Sequence, residues 1–370
     1  MEEINYNYFK GLDLRTIKKV VKKIKYDLPK RERETITYSK NFTLSLSNYC
    51  VNDCSYCYFN YKLPKTENNK NTILLEDFQI EKLIQEAVRY NCKEALILSG
   101  EHPECISEVQ NKLIANNYKS YVEYVKSVCI KVLKSNILPH TNIGLLSFEQ
   151  LNELKKNNAS MGLMLESTNM NLCEIGGVHE LSPGKEPKKR IKFIENAGKL
   201  HIPFTTGLLL GIGENLENRI HDLHLIKSIH QKYGHIQEVI IQNFVQKEAI
   251  RYRPKKVLSI KEILKTVGLA KIIFGNEISI QVPPNLITGY EREFIHMGID
   301  DFGGISPLTL DYVNPESKWP QIKKLESICK NNGYILKERL PIYPKYIRKP
   351  EFCSETIKKT INNINLDAYN

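Results

Sequence analysis

Short apolar runs alternate with amphipathic stretches along most of this chain, and that alternation restricts the fold more than any single residue does. Phe42-Thr43-Leu44-Ser45-Leu46-Ser47 alternates apolar and polar residues, as a half-buried strand does. Residues 95–98, 137–140, 161–165, 204–210, 239–242, 278–282 and 299–302 read as further strands. Helical stretches follow them: 107–135, 148–156 with Ser147 as N-cap, 187–200 with a proline at its start, 216–233, 259–274, 285–297 and 316–331. Strands separated by helices run parallel through right-handed crossovers. Eight strands in this alternation predict closure into a (β/α)8 barrel, an α/β fold whose active site lies at the C-terminal ends of its strands. The barrel is expected over residues 41–333. Residues 1–40, with a helix over 14–26, form an N-terminal extension, and residues 334–370, with Pro341, Pro344 and Pro350, a C-terminal tail wrapping the surface irregularly.

The remaining composition excludes several classes. No apolar run approaches the roughly 20 residues that span a bilayer, and the start of the chain lacks the basic and apolar pattern of a signal peptide. A soluble, cytoplasmic protein without a membrane partner is expected. Nine cysteines, an odd number in a chain without a signal, argue against a disulfide framework. The net charge is +11, yet the basic clusters, Lys18-Lys19 with Lys22-Lys23 and Lys185 with Lys188-Lys189-Arg190, are short and not interleaved with aromatics. They read as solvated surface, with no nucleic-acid partner. A basic metal-cluster protein that binds RNA is the remote alternative.

Three cysteines stand apart from the rest. Cys50, Cys54 and Cys57 have the spacing C-x3-C-x2-C, in a loop directly after the first strand. A closed iron–sulfur cluster takes four thiolates; three leave one iron open to a ligand. A redox C-x-x-C pair has the wrong count, and a zinc ribbon needs a second matching pair that is absent here. Zinc on three cysteines and a distant histidine is the competing arrangement.

With Tyr56 directly before the last cysteine, this run resembles the signature of the radical S-adenosylmethionine (SAM) superfamily. The resemblance implies a [4Fe–4S] cluster on Cys50, Cys54 and Cys57 whose open iron chelates the amino and carboxylate groups of SAM. Reduction of that cluster splits SAM to a 5′-deoxyadenosyl radical, which takes a hydrogen atom from substrate. Ser99-Gly100-Glu101 is similar to the Gly-Gly-Glu motif that holds the SAM ammonium group, with serine replacing the first glycine. By position Glu166 resembles the acid that meets the SAM ribose or amino group, and Arg190 would pair with the SAM carboxylate. The turn containing Gly211 and Gly213 resembles the motif that packs strand backbone against adenine; it fits neither G-x-G-x-x-G nor a P-loop.

Longer stretches narrow the resemblance. Residues 158–167, 202–214, 234–244, 281–285 and 301–307 are similar to the deazaflavin-forming 7,8-didemethyl-8-hydroxy-5-deazariboflavin (FO) synthases of coenzyme F420 biosynthesis. This implies a lyase that converts 5-amino-5-(4-hydroxybenzyl)-6-(D-ribitylimino)-5,6-dihydrouracil to FO with loss of ammonia. A single cysteine triad implies that a separate radical SAM enzyme supplies that small-molecule substrate and that a low-potential donor supplies electrons. Sister barrel enzymes are the alternatives: the hydroxybenzyl-transferring partner, or a menaquinone-pathway or hydrogenase-cofactor enzyme. Substrate groups are expected at strand ends not used by SAM: Gln242 and Asn243 after the sixth, Gln281 and Asn285 around the seventh, Asp300 and Asp301 at the end of the eighth. Side-chain amides suit a uracil edge because they both donate and accept. Beyond the cluster and SAM, the sequence identifies no catalytic side chain.

Overall fold

The computed structural model describes residues 4–64 and 70–364. Its strands are β1 (Thr35–Ser47), β2 (Glu94–Ser99), β3 (Leu138–Asn142), β4 (Ser160–Gly162), β5 (Phe204–Leu210), β6 (Ile236–Asn243), β7 (Ser279–Gln281), β8 (Asp301–Ile305) and β9 (Ile335–Glu338). All pair in parallel in the order β2-β3-β4-β5-β6-β7-β8-β1-β9, and β1 also pairs with β2. The first eight strands therefore close a ring, as the alternation predicts. Every residue of β5 is buried, because one face of each strand meets the barrel interior and the other meets helices.

The helices begin where the sequence offers caps. Ser120, Ser147, Asn215 and Ser259 each accept a backbone N–H from the third residue beyond, satisfying donors that a helix start leaves open. A helix over Asp77–Arg89 was not anticipated from the sequence. It buries Ile80, Ile84 and Ala87, spaced as one helical face, behind a capping box of Glu76 and Gln79. The helix Leu14–Tyr26 forms as expected and packs outside the barrel: Ile17 fits so closely to Gly268, on the helix Ile260–Phe274, that a Cβ there would lie 2.2 Å from Ile17 Cγ2.

Three sequence expectations need correction. β1 begins at Thr35, inside the expected extension, because its polar first half gains a neighbour: Thr35–Tyr38 pair with Ile335–Glu338 of β9. The tail is not an irregular wrap. After β9 it crosses the N-terminal end of the barrel, forms the helices Pro344–Ile347 and Glu355–Asn363, and inserts the buried Arg339 between Asp301 and Glu238. β8 starts, rather than ends, at Asp301: Phe302 and Ile305, buried on its two opposite faces, follow it. Residues 1–3 and 365–370 of the expected extension and tail lie outside the described residues. Among the described residues no helix is long and apolar enough to cross a membrane.

Candidate active site

Inward-facing residues recur every second position, and together they line one cavity of about 350 Å³. β2 contributes Glu94, Leu96 and Leu98; β3, His140 and Asn142; β5, Thr205 and Leu209; and β6, Glu238, Ile240 and Gln242. Cys50, Cys54 and Cys57 line the same cavity from the loop after β1.

Backbone bonds to two other segments and one within the loop hold it in place. Val51 N–H donates to Glu101 O at 3.0 Å, Ser55 N–H to Val178 O at 3.0 Å, and Cys57 N–H to Cys54 O at 3.0 Å. Gly100 lets the loop approach β2: a Cβ there would lie 2.0 Å from Tyr49 O and 2.8 Å from Cys50 Cβ. The Glu101 amide donates to Cys50 Sγ at 3.2 Å, and Ser182 Oγ donates to Cys54 Sγ at 3.2 Å. Burial pushes the Cys54 thiol up to about 11 and the Cys57 thiol to about 12, so neither is an anion by itself near neutral pH. All nine cysteines are free.

The three thiols fit a cluster better than a single ion. Among the described residues no three metal-ligating side chains converge closely enough to hold one ion. In a cluster each thiolate bonds a different iron, so its ligands stand farther apart. The N–H···S and O–H···S bonds to Cys50 and Cys54 also suit sulfur that carries negative charge once metallated.

Beside the triad, the side chains of Glu101, Glu166, Lys185 and Arg190 all line the cavity. Glu101 accepts from Asn52 Nδ2 at 2.9 Å through one oxygen and from Leu145 N–H at 3.1 Å through the other, with Arg190 Nη1 at 3.6 Å. Glu166 adopts φ +66°, a left-handed conformation that costs energy without glycine. That geometry turns its carboxylate toward Tyr56 Oη, Lys185 Nζ, His179 Nε2 at 3.1 Å and Arg190 Nη2 at 3.8 Å. Burial alone would raise this carboxyl; Lys185, the His179 hydrogen bond and Arg190 outweigh it and hold the group well below the usual carboxylate range. Arg190 is itself fixed by Met164 O at 2.7 Å and Gly184 O at 3.1 Å.

The structure thus brings together Cys50, Cys54, Tyr56, Cys57, Ser99, Gly100, Glu101, Glu166 and Arg190, with Gln242 and Gln281 on the facing wall. Gly211 and Gly213 form a turn at positive φ beyond β5, and Leu209 rather than either glycine reaches the cavity. Asn243 faces a separate hollow with Gly211 and Phe244. Asn285 is taken up by Asp311 Oδ2 at 2.9 Å and Ser317 O at 3.2 Å. Asp300 and Asp301 are corrected outright: β8 begins at Asp301, so both lie at the N-terminal end of the barrel. Asp300 pairs there with Lys271 at 3.0 Å and Asp301 with Arg339 at 2.5 Å. Lys185 and His179 were missed. Lys185 was read as surface charge, and His179 stands in no motif.

Comparison with known proteins places the chain in a family. The radical SAM superfamily model matches residues 44–226. The 7,8-didemethyl-8-hydroxy-5-deazariboflavin synthase of Methanococcus vannielii is 48% identical over 329 residues, covering 89% of this chain and 91% of that protein. Its counterpart from Methanocaldococcus jannaschii is 46% identical over 331 residues, covering 89% of each. Among solved structures, the [FeFe]-hydrogenase maturase HydG superposes with a TM-score of 0.71 at 16% identity over 89% of this chain and 71% of that one. Methylornithine synthase superposes with a TM-score of 0.64 at 18% identity over 89% and 95%; both likenesses concern the fold alone. Membership of the superfamily makes SAM and an iron–sulfur cluster the cofactors. The chain is a radical SAM enzyme and belongs to the 7,8-didemethyl-8-hydroxy-5-deazariboflavin synthase family.

Proposed function

We propose that Cys50, Cys54 and Cys57 hold a [4Fe–4S] cluster and that the enzyme closes the central ring of FO. The substrate is 5-amino-5-(4-hydroxybenzyl)-6-(D-ribitylimino)-5,6-dihydrouracil, and ammonia is released. The observation that carries this reading is the continuity of one cavity, from the single cysteine triad to the amide side chains of Gln242 and Gln281. When bound, the cluster and SAM supply the hydrogen-atom abstraction that acid–base side chains do not.

The chain's own residues bind and orient. Glu101, immobilised through both oxygens, presents a fixed carboxylate to the SAM ammonium group. Arg190 presents a guanidinium fork to the SAM carboxylate. Glu166, aimed by Tyr56 and His179, meets the ribose or amino group. Gln242 and Gln281 offer donors and acceptors to the uracil edge. Leu96, Leu163, Met164, Ile240 and Phe302 keep water from the aromatic ring.

Glu166→Gln removes the negative charge that Lys185 and Arg190 face. SAM affinity is expected to fall about 10- to 100-fold, the worth of one charged hydrogen bond, while iron and sulfide content stays constant. A SAM titration followed by electron paramagnetic resonance reads this directly. Unchanged affinity with an intact cluster would return Glu166 to a purely structural role.

The division of labour is testable too. A single triad serves a single radical stage, so a separate radical SAM enzyme supplies the adduct and a low-potential donor the electrons. Tyrosine and the ribityl diaminouracil, with SAM and reductant, are expected to yield no fluorescent deazaflavin. Adding the purified adduct restores FO and ammonia, followed by fluorescence and mass spectrometry. FO formed from the two precursors alone overturns the single-stage reading. Release of the hydroxybenzyl adduct alone makes this chain the partner enzyme.

A further inference from the structure

The cavity changes character with depth. Its waist is mostly apolar, with Leu96 on β2, Leu163 and Met164 after β4, Ile240 on β6 and Phe302 on β8, and one amide, Gln281, beside Ile240. Its floor, at the N-terminal ends of the strands, is polar: Asn41, Glu94, His140, Thr205, Glu238 and Arg339. Strand register places Asn41 beside Glu94 and Thr205 beside Glu238.

Hydrogen bonding on this floor is incomplete in a particular sense. Glu238 accepts from Thr205 Oγ1 at 2.7 Å and from Arg339 Nη2 at 2.8 Å. Arg339 is also shared with Asp301, so one guanidinium serves the carboxylates around it, Glu94 included. Asn41, only 4% exposed, lines the cavity with no partner for its Oδ1. His140 Nδ1 lies 2.6 Å from Ser160 Oγ, whose own hydrogen goes to Pro341 O at 2.7 Å. Nδ1 must therefore carry the ring hydrogen, which leaves Nε2 as a bare acceptor. Acceptors predominate, with the Asn41 amide and Arg339 as donors. Hydroxyl groups answer such a set because each donates once and accepts twice. A cation answers it poorly: no three ligands converge on an ion among the described residues, and an ion would have to lose its water to cross the mostly apolar waist.

We propose that the barrel floor binds an open polyhydroxylated carbon chain, with the ring that bears it held in the waist. This rests on the reading above for which molecule owns the chain: there it is the ribityl group of the FO precursor. Seating that group at the floor fixes the ring's depth, and so which substrate carbon faces the SAM end of the cavity.

The test uses the anaerobically reconstituted enzyme and three probes: the ribityl diaminouracil, the same ring with a methyl group in place of the ribityl chain, and ribitol. Calorimetry is expected to show the methyl compound binding about 10- to 100-fold more weakly, the loss of one or more hydrogen bonds to charged groups. Saturation-transfer NMR should detect ribitol on the wild type and lose it in Glu94→Gln and in Asn41→Ala, each checked for folding by circular dichroism. Equal binding of the ribityl and methyl compounds overturns the floor assignment while leaving the FO reading intact. Ribitol bound in a Glu94-dependent way, with neither ring compound binding, upholds the floor and overturns the seating of the ring in the waist, while turnover of the hydroxybenzyl adduct decides the FO reading separately. Absence of binding by both ribitol and the ribityl ring overturns the floor.

Discussion

Cys54→Ala protein is expected to emerge from anaerobic reconstitution without a stable cluster and to cleave SAM only at the background rate. Three thiolates are already one short of a closed set, so the loss of one leaves two irons open. Cys54 is the most enclosed of the three, and Ser182 Oγ donates to it. No neighbouring cysteine can substitute, because the loop is pinned by backbone bonds from Val51, Ser55 and Cys57. Iron and sulfide analysis with the visible spectrum reads the outcome. Cys105→Ala, at an exposed position, and Cys329→Ala, in the buried core, are the controls. The first should change nothing, and the second should cost about 1 kcal/mol of packing without touching the cluster. A full cluster in Cys54→Ala would remove the triad from the active site.

The second large effect is on stability. Arg339→Met leaves Asp301 and Glu238 buried without their cation. Breaking a buried pair in this way costs about 3–5 kcal/mol, or a fall in Tm of roughly 4–6 °C in a chain of this length. The loss should depend on pH. Burial raises the Glu238 carboxyl to about 7 even with Arg339 opposing it. An acid with a raised folded pKa contributes its stability fully below its unfolded value, and that contribution is lost as pH rises through the folded one. Without the guanidinium Glu238 rises further, so the variant's deficit should widen from about pH 5.5 to about pH 8. Thermal melts at the two pH values check this. A deficit of equal size at both would mean that lost packing, not lost charge, is responsible.

Local pattern carried most of the fold. The strand over Phe204–Leu210 and the helices over Leu14–Tyr26 and Leu216–Tyr233 coincide with the stretches read from periodicity, since burial on a fixed repeat is a property of neighbouring residues. The cysteine triad was legible for the same reason. What failed was non-local. In Ile299-Asp300-Asp301-Phe302 the acids were read as the polar end of an apolar strand, when they stand at the start of one whose buried residues follow. Lys185 and Arg190 sit in a basic run with Lys188 and Lys189, and only the last two are exposed. The partner that draws Lys185 inward, Glu166, lies nineteen residues earlier on another element. Arg339 finds Glu238 across 101 residues, a distance no window on the sequence spans.

The pairing of β1 with β9 also bears on how the protein is made. β1 sits between β2, β8 and β9, yet Thr35 waits for Ile335, 300 residues later, before its ladder is complete. Contacts of such long separation form late, because the entropy of closing the loop is lost before they repay it. Until Arg339 has left the ribosome and come to rest beneath the barrel, Glu238 and Asp301 have no counter-charge and the acids draw water into the core. A chain cut before Arg339 is therefore expected to be digested faster than the intact one, because Glu238 and Asp301 lose the guanidinium that both of them meet.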